Sequence, residues 1–249
     1  MVKIVLTPDW FLANDVMIEF FSFAVLFIFS FLAIKSYYLN KNRRFLYLGW
    51  GFGLITLAQL ASIVTKLVLF YDVGPTQAIG QAILSSQVFS SVDVFYYAGF
   101  FFQRFFTLCG LYMIYRLPRD KKSVGDWLLV GYFILISSVL SKEIYSLYHL
   151  TALFILVMII SNYLEIYKKN QFENTRLLIF SFSLLAFSQL LFIFSGLDLV
   201  YAFASVIELA SYTILLFLIV RILKHGQKTK QNGNHIGHVG DNSGKKRKH

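Results

Sequence analysis

Charge, cysteine and proline are all scarce in this sequence, and each scarcity removes a class of protein. Only 14% of the 249 residues are Asp, Glu, Lys or Arg, while 57% are hydrophobic, which is too little polar surface to clothe a water-soluble globule. The single cysteine, Cys109, excludes an intramolecular disulfide and reads as a small packing residue. The three prolines, Pro8, Pro75 and Pro118, all lie between apolar runs, so no run carries a proline hinge. No G-x-S-x-G, H-E-x-x-H or phosphate-loop pattern occurs, and no nucleophile stands at recognisable spacing from a base, so no enzymatic chemistry is expected.

What the chain has in abundance is length of apolar run. Seven stretches, roughly 17–36, 45–70, 94–115, 124–140, 144–164, 177–195 and 199–220, approach the ~20 residues a helix needs to cross ~30 Å of hydrocarbon. Runs such as Leu150–Ile160 and Ile214–Val220 are apolar on every face, which excludes the alternating pattern of a membrane β-barrel. The expected fold is therefore all-α: a bundle of seven transmembrane helices over 17–224, between an N-terminal segment 1–16 and a tail 225–249. The first twenty residues have no charged leader and no small-residue cleavage site, and so do not read as a signal peptide. Thr7 and Pro8 suggest a helix cap and first turn instead.

Basic residues set the orientation, because cytoplasmic loops carry an excess of them. Nineteen of the 23 lysines and arginines fall between runs 1 and 2, 3 and 4, 5 and 6, or after run 7. Lys3, Lys66 and Lys142 fall on the opposite side, and Arg104 is left inside. The N-terminus is then outside and the C-terminus cytoplasmic, and the net charge of +10 is a topology signal that calls for no nucleic acid. After Lys224 the composition turns to Gly, Asn, Gln, His and Lys, which reads as a disordered basic tail. Its Lys245-Lys246-Arg247-Lys248 cluster suits anionic lipid head groups, and His235 and His238 alone are too few ligands for a metal.

The runs also repeat. Shifting the sequence by 130 superposes run 2 on run 6 with identities that include Tyr37/Tyr167, Asn40/Asn170, Phe52/Phe182, Leu54/Leu184, Gln59/Gln189 and Leu60/Leu190. A shift of 105 pairs run 3 with run 7 through Asp93/Asp198, Tyr96/Tyr201 and Arg116/Arg221, with Gln103 opposite Glu208. The architecture expected is a parallel 3+1+3 repeat with run 4 as the linker. The difference in shift is an insertion around Asp72–Val92, whose apolar residues fit either an interfacial helix or a plain connector.

Ionisable groups in hydrocarbon need a partner or a wet cavity. Arg104 and Glu208 sit at matching depth, about ten residues into their runs, and are expected to pair. Tyr201, Ser205, Glu208 and Tyr212 share one helical face, and Tyr96, Phe100, Gln103 and Thr107 share the corresponding face of run 3. With Gln59 and Gln189 at similar depth, and Glu19 and His149 matched at the 130 shift, these residues would line a polar cavity between the halves. The same side chains would serve equally as interhelical glue. Run 7 has no lysine between Tyr201 and Val220 to hold a retinal, and His149 is the only histidine within a run, so neither a Schiff base there nor bis-histidine haem is available and no cofactor is expected.

The segment Tyr37–Ile55, YYLNKNRRFLYLGWGFGLI, resembles the start of helix 2 in uncharacterised archaeal polytopic membrane proteins and in the seven-helix input regions of some prokaryotic sensor kinases. That resemblance implies a prokaryotic cell membrane and a sensory role. Since no kinase, cyclase or DNA-binding domain follows Lys224, it further implies that a signal would pass to a partner protein. Two other roles use the same residues: a small-solute carrier, and a structural or assembly subunit whose polar core only holds helices together.

Overall fold

The structure, a computed structural model, describes residues 11–41, 43–70, 92–117, 124–140, 145–194 and 198–240, with the side chains of some helix ends outside that set. Seven helices are described: α1 (Leu12–Asn40), α2 (Arg43–Phe70), α3 (Val92–Arg116), α4 (Val124–Leu140), α5 (Tyr145–Asn170), α6 (Glu173–Ile193) and α7 (Asp198–Gly240). Each apolar run is thus a helix. Five of them, α1, α2, α5, α6 and α7, are long and apolar enough to cross a membrane. The polar residues Gln103 and Arg104 dilute α3, and α4 has 17 residues, or about 26 Å at ~1.5 Å per residue. Thr7, Pro8, the 72–91 part of the insertion and the Lys245–Lys248 cluster lie outside the described residues.

Two boundaries differ from the sequence reading. α1 opens at Leu12 rather than near residue 17, because Asp15 and Glu19 find a cation inside the bundle. α7 runs on to Gly240, so the backbone expected to be disordered from 225 is helical that far. Extending a helix already nucleated costs no second nucleation, which lets a polar sequence follow an apolar one.

Each helix packs on its chain neighbours, and the bundle closes through α1 against α7 and α3 against α5. α4 lies on α3 and α5. The turns after α1 and α5 are alike: Lys41 (φ 53°) and Gln171 (φ 49°) both take the left-handed conformation, and each backbone N–H donates back to a tyrosine carbonyl, Tyr37 or Tyr167. At the centre, the rings of Phe52 and Phe182 stack 6.5 Å apart, both wholly buried, with Phe29 and Tyr163 against their outer faces.

The distribution of side chains is inverted relative to a water-soluble protein. Phe27, Phe31, Trp50, Phe154, Phe203 and Phe217 face outward, while Asp15, Lys66, Arg104, His149, Gln189 and a set of serines are buried. In water such an apolar belt would aggregate, whereas lipid solvates it, and buried polar groups then bind helices to one another. Together with the five spans this is consistent with a multi-pass membrane protein.

Small residues decide how close α2 and α3 come. A Cβ on Gly110 would stand 2.5 Å from the Gly51 carbonyl oxygen and 2.7 Å from Ile55, while one on Gly131 of α4 would meet nothing within 4 Å. Gly110→Ala should therefore force α2 and α3 apart and lower the thermal midpoint of the detergent-solubilised protein. Gly131→Ala should leave it unchanged or slightly raised, since alanine is the better helix former by about 1 kcal/mol. Equal midpoints for the two variants would show that the backbone contact is not there.

Candidate functional site

A cavity of about 80 Å³ lies at the end of the bundle where α1, α3, α5 and α7 begin and α2 and α6 finish. Its polar lining comprises Asp15, Glu19 and Ser22 of α1, Gln59 of α2, Gln103 and Thr107 of α3, Tyr145, Tyr148 and His149 of α5, Gln189 of α6, and Tyr201, Ser205 and Glu208 of α7. At ~10–15 Å³ of such volume per water, it has room for several waters or one small solute.

One wall is charged. Asp15 and Glu19 are one turn apart on α1 and so face the same way. Lys66, near the end of α2, donates to Asp15 Oδ2 at 2.5 Å and to Glu19 Oε1 at 2.7 Å. Ser62, one turn earlier, adds a hydrogen bond to the same Glu19 oxygen at 2.9 Å, and the Tyr201 hydroxyl of α7 donates to Asp15 at 3.1 Å. Lys66 is 3% exposed and Asp15 2%, so this cluster is inside the protein. Lys66, counted from the sequence only as an outer-side charge, is thus a buried partner of two carboxylates.

The opposite wall is aromatic. His149 Nδ1 lies 2.8 Å from Gln189 Oε1, which can only accept, so Nδ1 is the donor and the neutral ring keeps its lone pair on Nε2. The imidazole is held on three sides, stacked on Phe192 at 5.0 Å and flanked by Tyr145 at 4.7 Å and Tyr148 at 4.8 Å. Phe192 and Phe11 set the Tyr201 ring edge-on.

Nine of the residues singled out in the sequence line this space: Glu19, Gln59, Gln103, Thr107, His149, Gln189, Tyr201, Ser205 and Glu208. Tyr212 stands behind it, donating to Glu208 Oε1 at 2.7 Å. The expected Arg104–Glu208 ion pair is not formed. α3 packs on α2, α4 and α5, whereas α7 packs on α6 and α1, and equal depth does not make two helices face each other. Arg104 is buried over the rings of Tyr145 and Tyr148, at 5.8 and 5.9 Å from their centroids, outside the cavity lining. The Tyr96 side chain lies outside the described residues.

The sequence reading missed Asp15, Lys66, Tyr145 and Tyr148. A signal existed for the first two, since Asp15, Glu19, Ser62 and Lys66 all fall at the same end of adjacent antiparallel runs. No group of three or more His, Cys, Asp and Glu able to hold a metal occurs among the described residues. Comparison with family models, curated proteins and solved structures returns no match.

Removing the ammonium alone strands two carboxylates in a dry interior, a change that costs about 3–5 kcal/mol for a buried pair. Lys66→Met should thus lower the thermal midpoint in detergent sharply, and the triple variant Lys66→Met, Asp15→Asn, Glu19→Gln should recover most of the loss. A single variant as stable as the parent would mean that the cluster is not buried as described.

Proposed function

We propose that this chain is a multi-pass cell-membrane protein that binds a small polar solute in the α1–α7 cavity and relays its occupancy to a partner protein, a sensor-like role. The observation carrying this is that Glu19 Oε2, Gln59 Oε1 and His149 Nε2 are buried without hydrogen-bond partners, and all three belong to residues lining the one cavity. Polar residues that serve only as glue satisfy each other, as the reciprocal Ser181 and Ser211 pair does at 2.8 Å in both directions. Unmet acceptors in a shared space are what a binding site looks like before its ligand arrives.

A relay has a mechanical candidate in α7. It carries Tyr201, Ser205 and Glu208 at the cavity and continues as one helix to Gly240, so a tilt imposed at one end reaches the other. A carrier would use the same cavity, but the Phe52–Phe182 stack closes the axis about 10 Å beyond Gln59 and Gln189, at ~1.5 Å per residue. That closure favours binding over passage.

The seven helices are taken as a parallel 3+1+3 repeat spanning the membrane, α3 and α4 included. Several contacts support this. Phe52 and Phe182, equivalent at the 130 shift, stack on each other as residues beside a two-fold axis would. The left-handed turns at Lys41 and Gln171 are equivalent too. Glu19 meets Ser62 where His149 meets Phe192, again the same pair of positions in each half. Helix contacts obey the exchange as well, α1 on α7 answering α5 on α3. The basic loops put the N-terminus outside and the C-terminus in the cytoplasm.

Two measurements test these points. A C-terminal green fluorescent protein fusion should fluoresce in a bacterial host and a C-terminal alkaline phosphatase fusion should be inactive, and the reverse pattern would invert the topology. In a thermal-shift screen of small amines, acids, amides, sugars and nucleosides, at least one solute should raise the midpoint of the purified protein. Gln59→Leu and His149→Leu should abolish that response. A panel without a single responder would leave the polar core as glue.

A further inference from the structure

The chemistry of the unmet atoms selects the ligand class, an inference that rests on the binding role above. We infer that the cavity recognises a small primary ammonium ion, of about the size of methylammonium, with its N–H groups directed at Glu19, Gln59 and His149 and its charge balanced by Glu208.

The acids of the cavity already have donors around them: Lys66 and Ser62 to Glu19, Lys66 and Tyr201 to Asp15, Tyr212 to Glu208. The unmet atoms of the lining residues, Glu19 Oε2, Gln59 Oε1 and His149 Nε2, are all acceptors, the last because Nδ1 holds the ring proton. A ligand that satisfies all three must bring donors, and a primary ammonium brings three. Gln59 and His149 are both at least nine-tenths buried, so each unmet lone pair is costly until filled.

Charge points the same way. Three carboxylates, Asp15, Glu19 and Glu208, line the space, and Lys66 lies within ion-pair distance of only the first two. Glu208 has a neutral hydroxyl from Tyr212 as its hydrogen bond and no cation within ion-pair distance among the described residues. An anionic ligand would meet that carboxylate uncompensated, while a cation would complete a second ion pair. The remaining walls, Tyr145, Tyr148, Phe192 and Tyr201, are aromatic, and ring faces attract a desolvated cation. Tyr145 and Tyr148 already lie beside one cation, the guanidinium of Arg104, which is itself outside the lining. At about 80 Å³ the cavity matches a one- or two-carbon ammonium ion.

The test is thermal stability of the purified full chain in detergent at constant ionic strength, with methylammonium chloride, sodium acetate and acetamide as cationic, anionic and neutral probes of equal size. Methylammonium should raise the midpoint in a saturable way, as mass action requires of a ligand bound only by the folded state, and the other two should not. Glu208→Gln should weaken the methylammonium midpoint at least about tenfold, as loss of a buried charge partner does. Gln59→Leu should weaken it as well without altering charge, which keeps the test alive if Glu208→Gln fails to fold. The surface variant Glu173→Gln should respond like the parent. Stabilisation by acetate or acetamide instead would overturn the ligand class and leave the binding role standing. Silence from all three probes and from the wider solute panel would overturn both, and an undiminished response in Glu208→Gln and Gln59→Leu would place the cation elsewhere.

Discussion

A single ammonium group fixes the geometry on which the rest of this bundle depends. Lys66 of α2 reaches two carboxylates of α1, and Tyr201 of α7 hydrogen-bonds one of those carboxylates, so three helices from opposite ends of the chain meet at one cluster. Charged side chains buried among apolar helices are costly unless they are paired or hydrogen-bonded. A cluster of three is tolerable only if the helices bring the charges together, and that requirement selects one rotation of α1 about its axis over all others. The gain is specificity of packing more than net stability, because desolvation consumes most of the Coulombic attraction in a buried pair.

With α1 so oriented, the remaining contacts can be tight and almost featureless. α2 and α3 approach backbone to backbone at Gly51 and Gly110, and α6 and α7 are tied by the mutual hydrogen bonds of Ser181 and Ser211. Neither contact would hold a helix at a chosen rotation by itself. Small residues permit close approach, and dispersion then rewards it, but only after something directional has decided which faces meet.

How much of this could be read in advance follows from what hydropathy measures. Run length and composition reveal where a helix lies, so all seven helices were legible, and a periodicity of 3.6 put Tyr201, Ser205, Glu208 and Tyr212 on one face correctly. Position along a run is a depth, which is why Gln59, Gln189 and Glu208 could be placed at a similar level, with Glu19 and His149 nearer the outer end. Azimuth between helices is not in the run, and Arg104 shows the consequence: at the right depth to meet Glu208, it instead turns to Tyr145 and Tyr148 on α5. The role of Lys66 was missed for the opposite reason. A lysine near the end of an apolar run counts only as an outer-side charge unless its partners on α1 are already known.

On the proposed repeat the two halves share a frame and differ in chemistry, and the proposed selectivity for a cation follows from that difference. At the 130 shift Asp15 corresponds to Tyr145, Glu19 to His149 and Ser62 to Phe192, so one half contributes carboxylates and a hydroxyl where the other contributes aromatic rings and an imidazole lone pair. Identical halves would have produced either two acidic walls, repelling each other across a space a few ångströms wide, or two aromatic walls with no charge to attract a solute. Placing negative charge on one wall and polarisable ring faces on the other avoids both outcomes. It would also direct the proposed ammonium ligand, with its N–H groups drawn to the carboxylate side and its alkyl end against Phe192 and the tyrosines. A ligand so oriented would bridge α1 and α2 to α5 and α7, and a change in their separation is what the proposed relay requires.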